Sequence, residues 1–137
     1  MPLTGNVPLL QVFDMAAAQA FYRDTLGFGV VDASPEVETA EGRFSHWMWL
    51  RRDGAEIMLN TAYDSNERPA ERDAARWRGH RDICVFIGCD DVDALWTELR
   101  AKGLDCARPN DTPYGMRQLQ LTDPDGYGLC FQHPVRR

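Results

Sequence analysis

The sequence predicts an α+β protein made of two copies of one strand–helix–strand–strand–strand unit. Two observations carry that expectation. First, an Asp-Gly turn between alternating apolar residues occurs twice. One copy is Trp47-Met48-Trp49-Leu50-Arg51-Arg52-Asp53-Gly54-Ala55-Glu56-Ile57-Met58-Leu59-Asn60. The other runs from Gln118-Leu119-Gln120-Leu121 through Asp123-Pro124-Asp125-Gly126 to Leu129-Cys130-Phe131-Gln132. Alternation on both sides of such a turn is a β-hairpin signal. Second, each hairpin follows an amphipathic segment that starts at an Asp and stops at a Gly, the N-cap and C-cap preferences of a helix.

Taken in order, residues 7–13 form the first strand, and Asp14 caps a helix whose apolar side carries Ala17, Ala18, Phe21 and Tyr22 before Leu26-Gly27 ends it. A second strand is expected over 28–32. A polar stretch with Ser34-Pro35 and Glu41-Gly42 then leads into the first hairpin, 44–51 and 55–61. Residues 62–81 are rich in Arg, Asp, Glu and Ala, too polar for core and too long for a turn, so they read as a connector with one short helix. The second unit repeats the plan. Residues 83–89 are a strand, Asp90 or Asp91 caps a helix carrying Val92, Leu95, Trp96 and Leu99, and Lys102-Gly103 ends it. A short strand over 104–107, a loop over 108–115 and the second hairpin complete the chain. The expected division is a first module over 1–62, a connector over 63–81 and a second module over 82–137, together one compact domain.

Composition narrows the function classes. A net charge of −6 with the charges dispersed disfavours nucleic acid and anionic membranes as partners, and mildly favours a cationic ligand. Residues 1–12 lack the basic start and long apolar core of a secretory leader, so a cytoplasmic location is expected. Cys84, Cys89, Cys106 and Cys130 have no CxxC spacing and read as free thiols.

If both hairpins use a type I turn with the glycine as a bulge, one sheet face gathers Leu10, Val12, Trp47, Trp49, Ile57, Leu59, Ile83, Val85, Ile87, Leu119, Leu121, Leu129 and Phe131, an apolar set that packs against the helices. The other gathers Val7, Leu9, Gln11, His46, Met48, Met58, Asn60, Cys84, Phe86, Gly88, Gln118, Gln120, Cys130 and Gln132. This uncharged mixture of amides, sulfurs and aromatics suits a small-molecule cup, or equally a second core or a dimer interface. A register one residue off exchanges the two sets and turns Trp47 and Trp49 into aromatic walls of the cup.

The duplicated unit, Val12-Phe13-Asp14 leading to Phe21-Tyr22 and Leu26-Gly27-Phe28, and Tyr114-Gly115-Met116-Arg117 leading to Asp123-Pro124-Asp125-Gly126-Tyr127 together resemble the vicinal oxygen chelate superfamily. That group includes glyoxalase I, extradiol dioxygenases, fosfomycin-resistance enzymes and bleomycin-resistance proteins. The resemblance covers essentially the whole chain. It implies two βαβββ modules forming a curved, incomplete barrel-like mixed sheet with the helices outside, and a homodimer in which paired modules complete each other's cups. Family enzymes place His or Glu metal ligands on the first and fourth strands of each module. Here those positions fall on Val7, Met58, Cys84 and Cys130, and Val and Met do not bind a hard cation. The departure points to the branch resembling bleomycin-resistance proteins, which binds and sequesters a ligand without chemistry, with no metal, no cofactor and no catalytic residue assigned.

The candidate ligand-binding residues are Gln11, His46, Met48, Met58, Asn60, Cys84, Phe86, Tyr114, Arg117, Gln118, Gln120 and Cys130. Tyr114 and Arg117 enter because this loop borders the ligand in the family. Arg117 either meets a carboxylate or phosphate or pairs with a surface acid. Cys84 and Cys130, with His46, are the place where a soft metal such as Zn²⁺ would sit, although packing is the commoner use of small buried cysteines. His80 and His133 read as solvated. Two other functions compete with sequestration: a glyoxalase- or dioxygenase-type enzyme using displaced ligands, and an interaction module with no pocket ligand.

Overall fold

A computed structural model describes residues 1–136 of the chain. They form two compact units, Met1–Arg72 and Asp73–Arg137. In the first unit, strands β1 (Leu9–Val12), β2 (Gly29–Ala33), β5 (Trp47–Arg52) and β6 (Ala55–Thr61) make a mixed sheet in the order β1-β6-β5-β2. β1 runs parallel to β6, and the other pairs are antiparallel. A separate two-stranded hairpin, β3 (Val37–Thr39) with β4 (Gly42–Phe44), occupies the polar stretch that leads into the first hairpin, where no strand was expected before residue 44.

Helix α1 (Met15–Gln19) starts where the sequence places it, with the Asp14 carboxylate accepting from the amides of Ala16 and Ala17. It then widens into a π-helical segment, Ala20–Thr25, closed by Leu26 N–H donating to Phe21 O at 2.9 Å. The wider turn seats consecutive aromatics in the core: Phe21 and Tyr22 meet edge-to-face at 5.0 Å, and Tyr22 meets Phe28 at 6.3 Å. Gly27, at φ 77°, then turns the chain into β2. The sheet face against α1 carries Leu10, Val12, Met48, Leu50, Ile57 and Leu59, all buried.

That face differs from the expected one in β5. Asp53 and Gly54 form a two-residue loop closed by the pair Arg52 and Ala55, with Asp53 at φ 49° as primed hairpin turns require. In the second unit, Asp123 N–H donates to Tyr127 O, which leaves a three-residue loop, and Gly126 is the positive-φ bulge at 92°. The extra Pro124 makes the loops differ by one residue, which inverts the parity of the strand before the turn. Met48 and Leu50 therefore face the helix, and Trp47 and Trp49 face away. The first hairpin's face assignment is corrected accordingly, while the second hairpin keeps the expected one.

The second unit orders β7 (Cys84–Gly88), β8 (Asn110–Asp111), β9 (Met116–Thr122) and β10 (Gly128–Pro134) as β7-β10-β9-β8, with β7 parallel to β10. The strand expected over 104–107 is absent, and the edge is the short β8. Helix α3 (Val92–Ala101), capped by Asp91, lays Val92, Leu95 and Leu99 on the sheet face carrying Leu119, Leu121, Leu129 and Phe131.

Residues 63–81 divide between the units. In the first, Arg68 and Arg72 lie over the Phe13 ring at 5.1 and 4.9 Å. In the second, α2 (Ala74–His80) covers the Asp-Pro-Asp-Gly turn. Trp77 Nε1 donates to Pro124 O, His80 Nδ1 donates to Asp125 O, and the His80 ring stacks on Tyr127 at 4.1 Å. His80 is thus a structural residue and not a solvated one. His133 is also buried, at the end of β10, with Nδ1 donating to Pro134 O. No helix among the described residues is long and apolar enough to cross a membrane.

Candidate functional site

Each sheet has one face covered by its helix and one opposite face, and the candidate residues are best placed by that division. In the first unit the opposite face carries Leu9 and Gln11 from β1, Met58 and Asn60 from β6, and Trp47 and Trp49 from β5. The register sets Trp47 across from Asn60, Trp49 across from Met58, and Gln11 beside Asn60. Asn60 Nδ2 donates to Gln11 Oε1 at 3.3 Å, so the amides form one polar spot beside two indoles. At the hairpin end, Arg51 Nε and Nη2 both donate to Glu56 Oε1, and the guanidinium lies 5.4 Å from the Trp49 ring. The face expected to be free of charge therefore carries one self-compensating ion pair at its rim.

Two candidates leave this set. Met48 is 5% exposed on the helix-covered face, where its sulfur accepts from Gln19 Nε2. His46 shares its parity, and its ring is held between hydroxyls, Nδ1 with Thr61 Oγ1 and Nε2 with Ser65 Oγ at 2.8 Å. Neither projects from the face assigned to it, for the reason of loop length given above. Trp47 and Trp49 replace them. The signal was present in the sequence: Asp53-Gly54 has no proline before it, whereas Asp125-Gly126 follows Pro124.

In the second unit the opposite face gathers Cys84, Phe86, Gln118, Gln120, Cys130 and also Gln132. An amide network spans it: Gln120 Nε2 donates to Gln118 Oε1, and Gln118 Nε2 donates to Gln132 Oε1 and to the Tyr114 hydroxyl, both at 2.9 Å. Gln118 is 1% exposed, and satisfaction on both ends of its amide is what makes that burial tolerable. Thr112 Oγ1 donates to Met116 O and accepts from Met116 N–H, which closes the loop that brings Tyr114 over β9. Phe86 and Tyr114 stay exposed.

Arg117 does not join the network. It lies on the helix side, Nε and Nη2 making a fork on the Asp93 carboxylate at 2.7 and 2.8 Å, while Nη1 reaches Asp111 at 2.9 Å. These hydrogen bonds hold the Arg117 guanidinium well above its ordinary pKa and the Asp93 carboxyl below its own. Of the two readings for Arg117, the surface ion pair is the one found.

Cys84 and Cys130 stand on adjacent strands two residues out of register, Cys84 pairing with Gly128 and Cys130 with Phe86. Burial, and secondarily Cys84, pushes the Cys130 thiol up to about 11, and burial also raises Cys84. Both shifts favour the thiol over the thiolate form that serves as nucleophile or metal ligand. No group of three His, Cys, Asp or Glu side chains stands together among the described residues. Val7, Met58 and two soft thiols do not fit the hard divalent cation that the family's enzymes employ. The raised Cys130 pKa also has a stability consequence. Its proton is held more tightly folded than unfolded, so stability is full below pH 9 and falls as pH rises from 9 towards 11. Alkylation with iodoacetamide at pH 8 is expected to label Cys84, which is exposed, well before Cys130, followed by peptide mass spectrometry. Equal rates would contradict the burial assigned to Cys130.

A repeated βαβββ unit with each helix on one sheet face, and an aromatic and amide-rich face opposite, defines a protein of the vicinal oxygen chelate fold. The chain belongs to the Glyoxalase/Bleomycin resistance protein/Dioxygenase superfamily, whose model matches residues 6–131. The solved structures similar to it include TnmS3, an antibiotic-binding protein from a Streptomyces species, at 26% identity, TM-score 0.66, covering 98% of this chain and 99% of that one. A bleomycin resistance determinant encoded on the transposon Tn5 is 20% identical, with TM-score 0.70 over 98% of this chain and all of that one. A bleomycin-binding protein complexed with bleomycin is 21% identical, with TM-score 0.69 over 97% and 100%. The sequence matches no curated protein sequence.

Proposed function

We propose that this chain is a small-molecule-binding protein that sequesters its ligand in a cup formed by paired modules, without metal chemistry and without catalysis. The observation that carries the reading is the donor set at the family's ligand positions. Val7 and Met58 cannot hold a hard cation, and the thiols of Cys84 and Cys130 are soft donors that do not suit one. What the faces offer instead is contact chemistry: indoles, a thioether, a phenyl ring and fixed amides. The likeness to TnmS3 supports an antibiotic as the ligand class, and the net charge of −6 supports a cationic one. Pairing of modules from two copies is supported by Leu9, Ile83 and Phe86, large apolar side chains that remain exposed on or beside the edge strands β1 and β7. A cytoplasmic location fits such a role.

The test is calorimetric titration of chelator-treated protein with a panel of cationic and neutral antibiotics that includes bleomycin. Saturable binding that is unchanged by added Zn²⁺, Ni²⁺, Fe²⁺ or Mn²⁺ is the expected result. Turnover of a hemithioacetal or a catechol after metal loading would replace this reading with the enzyme.

A further inference from the structure

Among the described residues, three buried side-chain polar atoms meet no hydrogen-bond partner: Glu41 Oε2, His133 Nε2 and Trp49 Nε1. Glu41 sits at the β3–β4 turn, where its other oxygen accepts from Arg68 N–H. His133 is on the helix-covered side of its sheet. Trp49 alone belongs to a face opposite a helix, the one that also presents Trp47, Met58 and the Gln11–Asn60 amide pair. Indole N–H is a donor with no acceptor capacity, and a buried one normally finds a carbonyl or hydroxyl. Here nothing in its own unit supplies one. The Arg51 guanidinium, anchored by Glu56 and with its side chain 48% exposed, lies over the ring and offers only donors.

We propose that Trp49 Nε1–H is a specificity donor for the bound molecule, and that the ligand is a planar aromatic ring carrying a hydrogen-bond acceptor, a carbonyl oxygen or an aza nitrogen, on its edge. The ring stacks on the indole and thioether surface of Trp47 and Met58 while the edge acceptor takes the Trp49 proton. Arg51 swings off the ring face to admit it. A site built around an unpaired donor rejects analogues that lack the acceptor, because the donor then stays buried and unsatisfied. The inference rests on the binding reading above and goes beyond it by naming the chemistry selected.

The experiment uses the full chain, labelled with ¹⁵N, and a matched pair of probes: 9-fluorenone and fluorene, each bearing the same trimethylammonium tail. The chain has four tryptophans, so four indole N–H signals are followed, and Trp49→Phe identifies the one of interest. The expected result is a downfield shift of the Trp49 indole proton with the ketone and none with the hydrocarbon, and about tenfold tighter binding of the ketone. Trp49→Phe should bind both probes equally. If that variant does not fold, the contrast between the two probes on the wild-type signal carries the test unaided. Equal binding of both probes with no Trp49 shift would overturn the donor assignment and leave the binding function standing. A Trp49 signal that moves with protein concentration alone would assign the donor to a second copy, and would also overturn it. Failure of both probes to bind at millimolar concentration would count against the donor and the binding face together.

Discussion

Met48→Lys is expected to cost about 3 kcal/mol or more of stability, while Met58→Lys is expected to cost about 1 kcal/mol or less. The two methionines stand on paired strands of one hairpin, yet the two-residue turn at Asp53-Gly54 puts them on opposite faces. Met48 is 5% exposed on the helix-covered face, paired with Leu59 and with its sulfur against the Gln19 amide, so an ammonium there has no water and no charged partner. Met58 is half-buried on the other face, where a lysine stem can lie along Trp49 and carry its charge out to solvent. Urea unfolding followed by circular dichroism gives both midpoints. The reverse order of destabilisation would restore the three-residue turn and return Trp47 and Trp49 to the core.

Gly126→Ala is the second large effect. Gly126 has φ 92°, and a Cβ there would stand 2.3 Å from Trp77 O and 3.0 Å from Trp77 Cδ2. The main-chain oxygen cannot step aside without breaking the contact between α2 and the turn. Gly42 provides the comparison, with φ 126° and nothing within 4 Å of the added carbon. Gly42→Ala therefore measures backbone strain alone, about 1 kcal/mol, and Gly126→Ala is expected at about 3 kcal/mol or more. Matching midpoints for the two variants would mean that α2 is free to lift off the turn.

The architecture was legible because its signals are local. Asp14 and Asp91 cap helices where they stand in the sequence, and alternation marked β5, β6, β9 and β10. The faces of β9 and β10 were also legible, since Pro124 and Gly126 spell out the turn that sets their register. The face of β5 was not, because parity depends on a single loop residue and the two hairpins looked like repeats. That one residue moved Met48 and His46 out of the candidate site and Trp47 and Trp49 into it. Long-range contacts were the other blind spot. Nothing local to His80 announces Tyr127, so it read as solvated, and nothing local to Arg117 announces Asp93, so it stood between a ligand contact and a surface ion pair. The π-helical turn at Ala20–Thr25 and the β3–β4 hairpin likewise follow from packing and not from pattern.

In the proposed function, ligand capture uses the sheet faces and not a metal. The most direct measurement is the titration of chelator-treated protein with the antibiotic panel, run in parallel on wild type and on Trp47→Ala. The account predicts saturable binding by wild type without metal, weakened tenfold or more by Trp47→Ala, with the circular dichroism spectrum unchanged. Binding that appears only after a metal is restored, or that ignores the loss of Trp47, would contradict it.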